Sequence, residues 1–168
     1  AFISLCALTN HAATVYDLNS LTLNIITTEA PPAEDPYDAW MDTYTNELSV
    51  AEQAKDSDPD NDTMDNLLEY ALGGNPTVAD ADDILPVATM ATDELIYAYE
   101  RRTNYIDLGI SYYLELTPDL VGVAFTNDTS AYTADAPSAP NGEFETITNH
   151  VPTTEEEAQF VRLTVTKE

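Results

Sequence analysis

The sequence has little positive charge and almost no cysteine. Its 168 residues include five Lys or Arg against 31 Asp or Glu, and the formal net charge is −26. Nucleic acids and anionic membranes attract clustered basic residues, so this composition argues against both as partners. The single cysteine, Cys6, excludes an internal disulfide bond. Cations are therefore the natural partners of this chain.

Long hydrophobic runs are also missing. No apolar run reaches the roughly 20 residues that a membrane-spanning helix needs. A high net charge is typical of disorder, but 43% hydrophobic residues and ten tyrosines suffice for a packed core. The opening AFISLCAL has two interpretations, an ordered mature segment or the remainder of a secretory signal. Both predict export, and hence a secreted, extracellular or cell-surface protein.

Residues 1–34 are predicted to form an N-terminal strand arm followed by a Pro-rich linker. Residues 14–28 are rich in β-branched and aliphatic side chains. Leu21, Leu23 and Ile25 alternate with polar residues, which is the period-2 pattern of a half-buried strand. Together with Tyr16 they are the candidate residues of an assembly strand.

Residues 35–84 are predicted to be a helical calcium-loop segment, with helical character over 35–74. Asp35 is a suitable N-cap for a first helix. Trp40, Tyr44 and Leu48 recur every four residues, which predicts one buried stripe.

A second helix, MDNLLEYAL, follows the acidic loop and is predicted to end at Gly73-Gly74, because glycine suits a helix C-cap. Its apolar residues are expected to pack against Trp40. They are Leu67, Leu68, Ala71 and Leu72.

Residues 85–168 are predicted to form an antiparallel β-sandwich, because short strand-like runs alternate with turn residues. The runs are ELIYAYERR, ISYYLELT, VGVAFTN, FETITN and QFVRLTVTK. The predicted fold class is therefore mainly β with a small α segment. The predicted order along the chain is the strand arm, then an EF-hand-like calcium loop between two short helices, and then the sandwich.

The acidic loop has the ligand spacing of an EF-hand-type calcium site. When Asp58 is counted as position 1, the candidate ligands are Asp58, Asp60, Asp62, the backbone carbonyl of Met64, Asn66 and Glu69. Position 6, where the chain bends sharply and glycine is usual, is Thr63. Calcium is favoured over magnesium, which prefers fewer carboxylates and more retained waters. Asp80, Asp82 and Asp83 form a second acidic cluster without ligand spacing, and it is a weaker candidate for a further site.

The stretch DPDNDTMDNLLEYALGGNPT resembles the D-P-D-G-D-G-x-x-N-x-x-E-Y-A-x-G-x-x-P segment of secreted proteins from Verrucomicrobia and Planctomycetes. That segment is itself similar to thrombospondin type 3 calcium repeats. The resemblance extends through LIYAYERRTNYIDLGISYYLELTPDL to QFVRLTVTKE, the family's C-terminal β module, and covers about residues 36–168. It implies the calcium ligands Asp58, Asp60, Asp62, Asn66 and Glu69. Asn61 and Thr63 stand where the family has glycines.

No pattern of residues predicts catalysis. His11 and His150 are the only histidines, and neither has a partner at the spacing of a zinc site or a catalytic triad. Cys6 lies in an apolar run, which favours a buried small hydrophobe over a nucleophile. Asn61 and Asn127 match the N-glycosylation sequon and are candidate glycosylation sites.

Two hypotheses about function follow. In the first, the chain is an extracellular calcium-binding subunit of a filament or surface layer, a homopolymer in which the N-terminal strand completes a neighbour's sheet. In the second, it is a monomeric accessory or glycan-binding module, stabilised by calcium, and the arm folds onto its own sandwich.

Overall fold

The computed structural model describes residues 12–16, 23–27, 34–154 and 159–168, the first two ranges by their backbone alone. Cys6, His11 and Leu21 lie outside these ranges. The chain divides into two compact units, residues 1–34 and 35–168. None of the helices in the described ranges is long and apolar enough to cross a membrane.

The first unit contains an antiparallel hairpin made of β1 (Ala12–Tyr16) and β2 (Leu23–Thr27). Tyr16 lies opposite Leu23, and Thr14 lies opposite Ile25. Where the sequence predicts a strand arm, the structure therefore has two strands that pair with each other.

The second unit begins with short helices. They are α1 (Pro36–Met41), a 3-10 turn at Asp42–Tyr44, α2 (Asn66–Leu72) and α3 (Ala81–Ile84). The Asp35 carboxylate accepts a hydrogen bond from the Tyr37 amide at 3.0 Å and caps α1, as predicted. The prediction of helical character over 35–74 is wrong in its extent, because residues 45–65 form turns and loops. Side chains such as Glu52 and Asp58 accept hydrogen bonds from nearby backbone amides there, which competes with helix formation.

The residues of the predicted stripe, Trp40, Tyr44 and Leu48, lie together although no continuous helix carries them. The ring centroids of Trp40 and Tyr44 are 5.3 Å apart, and those of Trp40 and Tyr70 are 5.1 Å apart. Leu48 is buried in the same cluster, as is Ala71 of α2. The stripe is therefore a compact aromatic cluster against which α2 packs.

The second helix ends as predicted, with Gly73 as a left-handed C-cap at φ 96°. The expected packing of its apolar face is only partly right. Leu72 and Leu68 belong to the core of the sandwich instead of the Trp40 cluster. Successive faces of α2 therefore meet two different cores, and the helix joins the aromatic cluster to the β-sheets.

Two antiparallel sheets make up the rest of the unit. A four-stranded sheet has the order β3 (Val87–Met90), β4 (Glu94–Arg102), β7 (Phe144–Pro152) and β6 (Thr133–Ala134), and a two-stranded sheet pairs β5 (Ile110–Thr117) with β8 (Phe160–Lys167). Both sheets contribute to one core, which includes Tyr99, Leu114, Ile147 and Val151. The mainly β fold with few short helices is confirmed.

One predicted strand is wrong. The run VGVAFTN forms no named strand, and only Thr126 makes an isolated bridge, to Leu116 of β5. The preceding residues turn instead, since the Asp119 carboxylate accepts a hydrogen bond from the Val121 amide. Val121 is 97% exposed as a result. This Asx turn, from Asp119 to Val121, lies at the start of the run that the sequence predicts as a strand.

Candidate metal centre

The acidic loop brings Asp58, Asp60 and Asp62 together, and one carboxylate oxygen of each lies within 4.8 Å of the others. The loop is wound around its own carboxylates. Asp58 accepts hydrogen bonds from the Asp62 and Thr63 amides, at 3.2 and 3.0 Å. Asp62 accepts one from the Met64 amide at 2.9 Å. The first three acidic positions of the motif are therefore drawn into one group.

Two residues of the loop have backbone conformations that favour glycine. Asn61 has φ 63° and Thr63 has φ 81°, and in the described part of the chain they are the two non-glycine residues with positive φ. They are the two positions at which the sequence resemblance predicts glycine. Asparagine tolerates this region, whereas a β-branched residue is strained in it.

Replacing Thr63 with Gly is expected to stabilise the protein by about 1 kcal/mol, because the backbone strain at this position is removed. The measurement is urea unfolding in excess calcium. Asn61→Gly is the matched comparison, and we expect a smaller gain from it because asparagine already tolerates positive φ. A loss of stability on Thr63→Gly would mean that the loop does not need the left-handed conformation there.

A second acidic group lies deeper and shares Asp62 with the first. It joins Asp62, Glu69 and Asp80, again with ligand oxygens within 4.8 Å of one another. Glu69, on α2, is 0% exposed. Neither of its carboxylate oxygens has a hydrogen-bond partner among the residues that the structure describes. The pKa of Glu69 is raised to about 8, mainly by burial and in addition by the charges of Asp60, Asp62, Asp80 and Asp58.

An unpartnered carboxylate inside a protein is costly unless a cation compensates it. Basic side chains of the protein do not fill this role, although all five lie in the described part of the chain. Their ion-pair partners are Asp35 for Lys55 and Lys167, Glu145 for Arg101, Glu143 for Arg102 and Glu115 for Arg162. None of these partners belongs to either acidic group. The two groups could therefore hold a metal ion.

In the sequence Asp80 belongs to an acidic cluster with Asp82 and Asp83, but in the structure its carboxylate lies with those of Asp62 and Glu69. The Asp62 carboxylate accepts hydrogen bonds from the backbone amides of Asp80 and Ala81, at 2.9 and 2.7 Å, and so holds the start of α3 against the loop. Gly74 permits this approach, because a Cβ there would lie 2.4 Å from the Cδ1 atom of Ile84. The Gly73-Gly74 pair predicts that the helix ends here, but it does not predict that the following residues pack against the acidic loop.

Two further predicted ligands, Asn66 and Met64, have buried side chains. The Asn66 side chain is fully buried, and its amide nitrogen donates to the carbonyls of Glu52 and Ala54, both at 2.7 Å. The Met64 side chain is buried in the sandwich core. The Asn66 carbonyl oxygen and the Met64 backbone carbonyl as ligands stay predictions.

The two sequon residues are both exposed. The Asn61 side chain donates to the carbonyl of Pro59 at 3.2 Å, within the acidic loop, whereas Asn127 lies between β5 and β6 in the sequence. Glycosylation of either stays a prediction.

No protein family, curated protein or solved structure was found to match this chain.

Proposed function

We propose that the chain is a non-catalytic, calcium-binding structural protein that acts outside the cell or at its surface. The observation that carries the proposal is the buried carboxylate of Glu69, which has no partner in the described part of the chain and stands among four aspartates. Calcium takes six to eight oxygen ligands and favours carboxylates in a flexible arrangement. Asp58, Asp60, Asp62, Glu69 and Asp80 supply such oxygens.

The choice of calcium over other metals rests on the donor set. Among the residues that the structure describes, both acidic groups consist of carboxylates, with no histidine or cysteine in either. Zinc and copper sites usually include nitrogen or sulfur ligands, whereas calcium and magnesium prefer oxygen. Magnesium is bound through one or two carboxylates and retains several waters. Five carboxylates in one region therefore favour calcium.

We further propose that the N-terminal arm joins copies of the chain into a filament or surface layer. The support is the strand pattern of the arm together with the sheets of the second unit, in which β5 and β8 form a sheet of two strands in the described residues. Such a sheet leaves backbone groups at its edges that an added strand can pair with. Calcium would reduce the repulsion between subunits as acidic as these.

The pairing of β1 with β2 favours the alternative, a monomeric calcium-stabilised accessory module. Each arm strand already pairs along one edge with the other, so it does not need a neighbouring subunit to gain a partner strand. The same calcium site serves this function equally well.

The test is to measure melting temperature and particle size on the same samples in calcium, in magnesium and in excess chelator. The full chain is compared with a variant that lacks residues 1–28. We expect calcium to raise the melting temperature of both proteins more than magnesium does. Long particles from the full chain alone, which shorten or loosen on chelation, would support assembly through the arm.

The outcomes separate the two parts of the proposal. A melting temperature that is the same in calcium and in chelator would contradict calcium binding. Monomers of the full chain in every condition, with calcium-dependent melting retained, would contradict the filament and leave the accessory module.

A further inference from the structure

Asp80 lies outside the twelve-residue loop motif, yet its carboxylate belongs to the buried acidic group. Its Oδ1 atom is buried and has no hydrogen-bond partner among the described residues, and the same is true of both carboxylate oxygens of Glu69. Burial is the main cause that raises the pKa of Asp80, and the charge of Asp62 adds to it. Two segments separated along the chain thus each place an uncompensated oxygen in one small volume.

The residues that follow Asp80 connect the centre directly to the edge of the four-stranded sheet. Ala81 is 6% exposed, and Ile84 packs against the sandwich core. Strand β3 begins three residues after Ile84 and is an edge strand, paired with β4 in the described sheet. All four of its residues are exposed, so side-chain burial contributes little to holding it in place.

We propose that Asp80 is a ligand of the same calcium ion as Glu69, and that the bound ion thereby holds α3 and edge strand β3 against the rest of the sandwich. This inference rests on the proposed calcium binding and adds what the ion controls. Without the ion, the buried carboxylate oxygens of Glu69 and the Oδ1 atom of Asp80 have no partner among the described residues. The hydrogen bonds from the amides of Asp80 and Ala81 to Asp62 are then what joins the start of α3 to the acidic loop.

Residues 80–90 should therefore behave as a calcium-dependent local unit of the fold. Local opening is easiest where few apolar contacts hold a segment, and β3 meets that condition. When the ion is removed, we expect α3 and β3 to open while β4 stays paired with β7, a longer interface of nine residue pairs.

The experiment combines calcium titration with hydrogen exchange on the full-length chain. The variant is Asp80→Asn, and the matched control is Asp82→Asn, an exposed residue of the same helix that belongs to neither acidic group. We expect Asp80→Asn to weaken calcium binding by roughly 10–100-fold, the range found even for outer-shell partners of metal ligands. We expect Asp82→Asn to bind as the wild type does. In the wild type, amides 81–90 should exchange more slowly in calcium chloride than in chelator.

Two results would overturn the inference. In the first, the wild type binds calcium tightly, but hydrogen exchange at residues 81–90 is the same with and without calcium. That result would leave the proposed function standing. The second is an Asp80→Asn variant with wild-type affinity. Failure of the wild type to bind calcium would instead overturn the proposed function, and this inference with it. The wild-type exchange measurement decides the question even if Asp80→Asn folds poorly.

Discussion

Replacing Glu69 with Gln is expected to abolish the calcium-dependent rise in melting temperature and to leave the calcium-free protein at least as stable as the wild type. Glu69 is fully buried, and both of its carboxylate oxygens lack a hydrogen-bond partner in the described structure. Glutamine has almost the same shape but carries no charge. The variant therefore loses the carboxylate that would complete the calcium site, and it no longer buries an uncompensated acid.

The size of the effect follows from linkage. A ligand at 100 times its dissociation constant stabilises the folded state by about 2.7 kcal/mol. For a chain of this length each kcal/mol corresponds to roughly 2–4 °C, so the calcium-dependent shift of the wild type should be roughly 5–10 °C. The Gln variant should show almost none of it. Differential scanning calorimetry in calcium and in chelator measures both proteins.

Glu47→Gln is the control, because Glu47 is exposed and belongs to neither acidic group. It makes the same chemical change on the surface and should keep the full calcium-dependent shift. If Glu69→Gln also kept that shift, the ion would bind elsewhere and the proposed centre would be wrong. A large loss of stability in the calcium-free variant would mean that Glu69 stabilises the fold through a contact other than a cation.

Local features of the centre were predictable from the sequence because they depend on residues close together in the chain. The alternation of Asp58, Asp60 and Asp62 predicts a turn that collects their carboxylates, and the structure has that group. The helix that carries Glu69 was predictable from its apolar residues and from Gly73 as its C-cap. Thr63 shows that the loop takes its conformation even where the residue resists it, with φ 81°.

The part of the centre that was not predictable depends on contacts between distant residues. Asp80 follows Asp62 by eighteen residues and reaches it only because the chain turns back after α2. In the sequence Asp80 cannot be distinguished from Asp82 and Asp83, which carry the same charge. Asp80 lies at the start of α3, and the other two lie within it. Burial distinguishes them, since the latter two are exposed. Side-chain environment of this kind is a property of the whole fold and not of spacing.

The same limit applies to Arg102. The sequence places it beside Arg101 at the end of a strand, where the two would balance the surrounding acidity. In the structure Arg101 pairs with Glu145 and Arg102 with Glu143, but Arg102 is in addition only 7% exposed and stacks on two aromatic rings. Its guanidinium carbon lies 4.3 Å from the centroid of the Tyr70 ring and 4.8 Å from that of Phe144. Its Nε atom donates to the carbonyl of Tyr70 at 2.6 Å. Arg102 therefore fastens α2, the helix that carries Glu69, to strands β4 and β7.

Replacing Arg102 with Ala is accordingly expected to destabilise the protein by about 3 kcal/mol. The loss combines a desolvated cation–π stack with a charge-assisted hydrogen bond to a buried carbonyl. Urea unfolding at saturating calcium measures it. Because α2 would lose one of its anchors near its C-terminal end, calcium affinity should fall as well, and titration of the folded variant checks this.

Arg162→Ala is the matched control, since Arg162 also stacks on an aromatic ring, that of Phe125, and also pairs with a carboxylate, that of Glu115. Its side chain is 55% exposed, so water already solvates the charge and the expected loss is within about 1 kcal/mol. Equal losses in the two variants would mean that burial of Arg102 adds nothing to its contacts. If Arg102→Ala showed the expected loss of stability but an unchanged calcium affinity, α2 would position Glu69 without this anchor, through its other contacts with the aromatic cluster and the sandwich core.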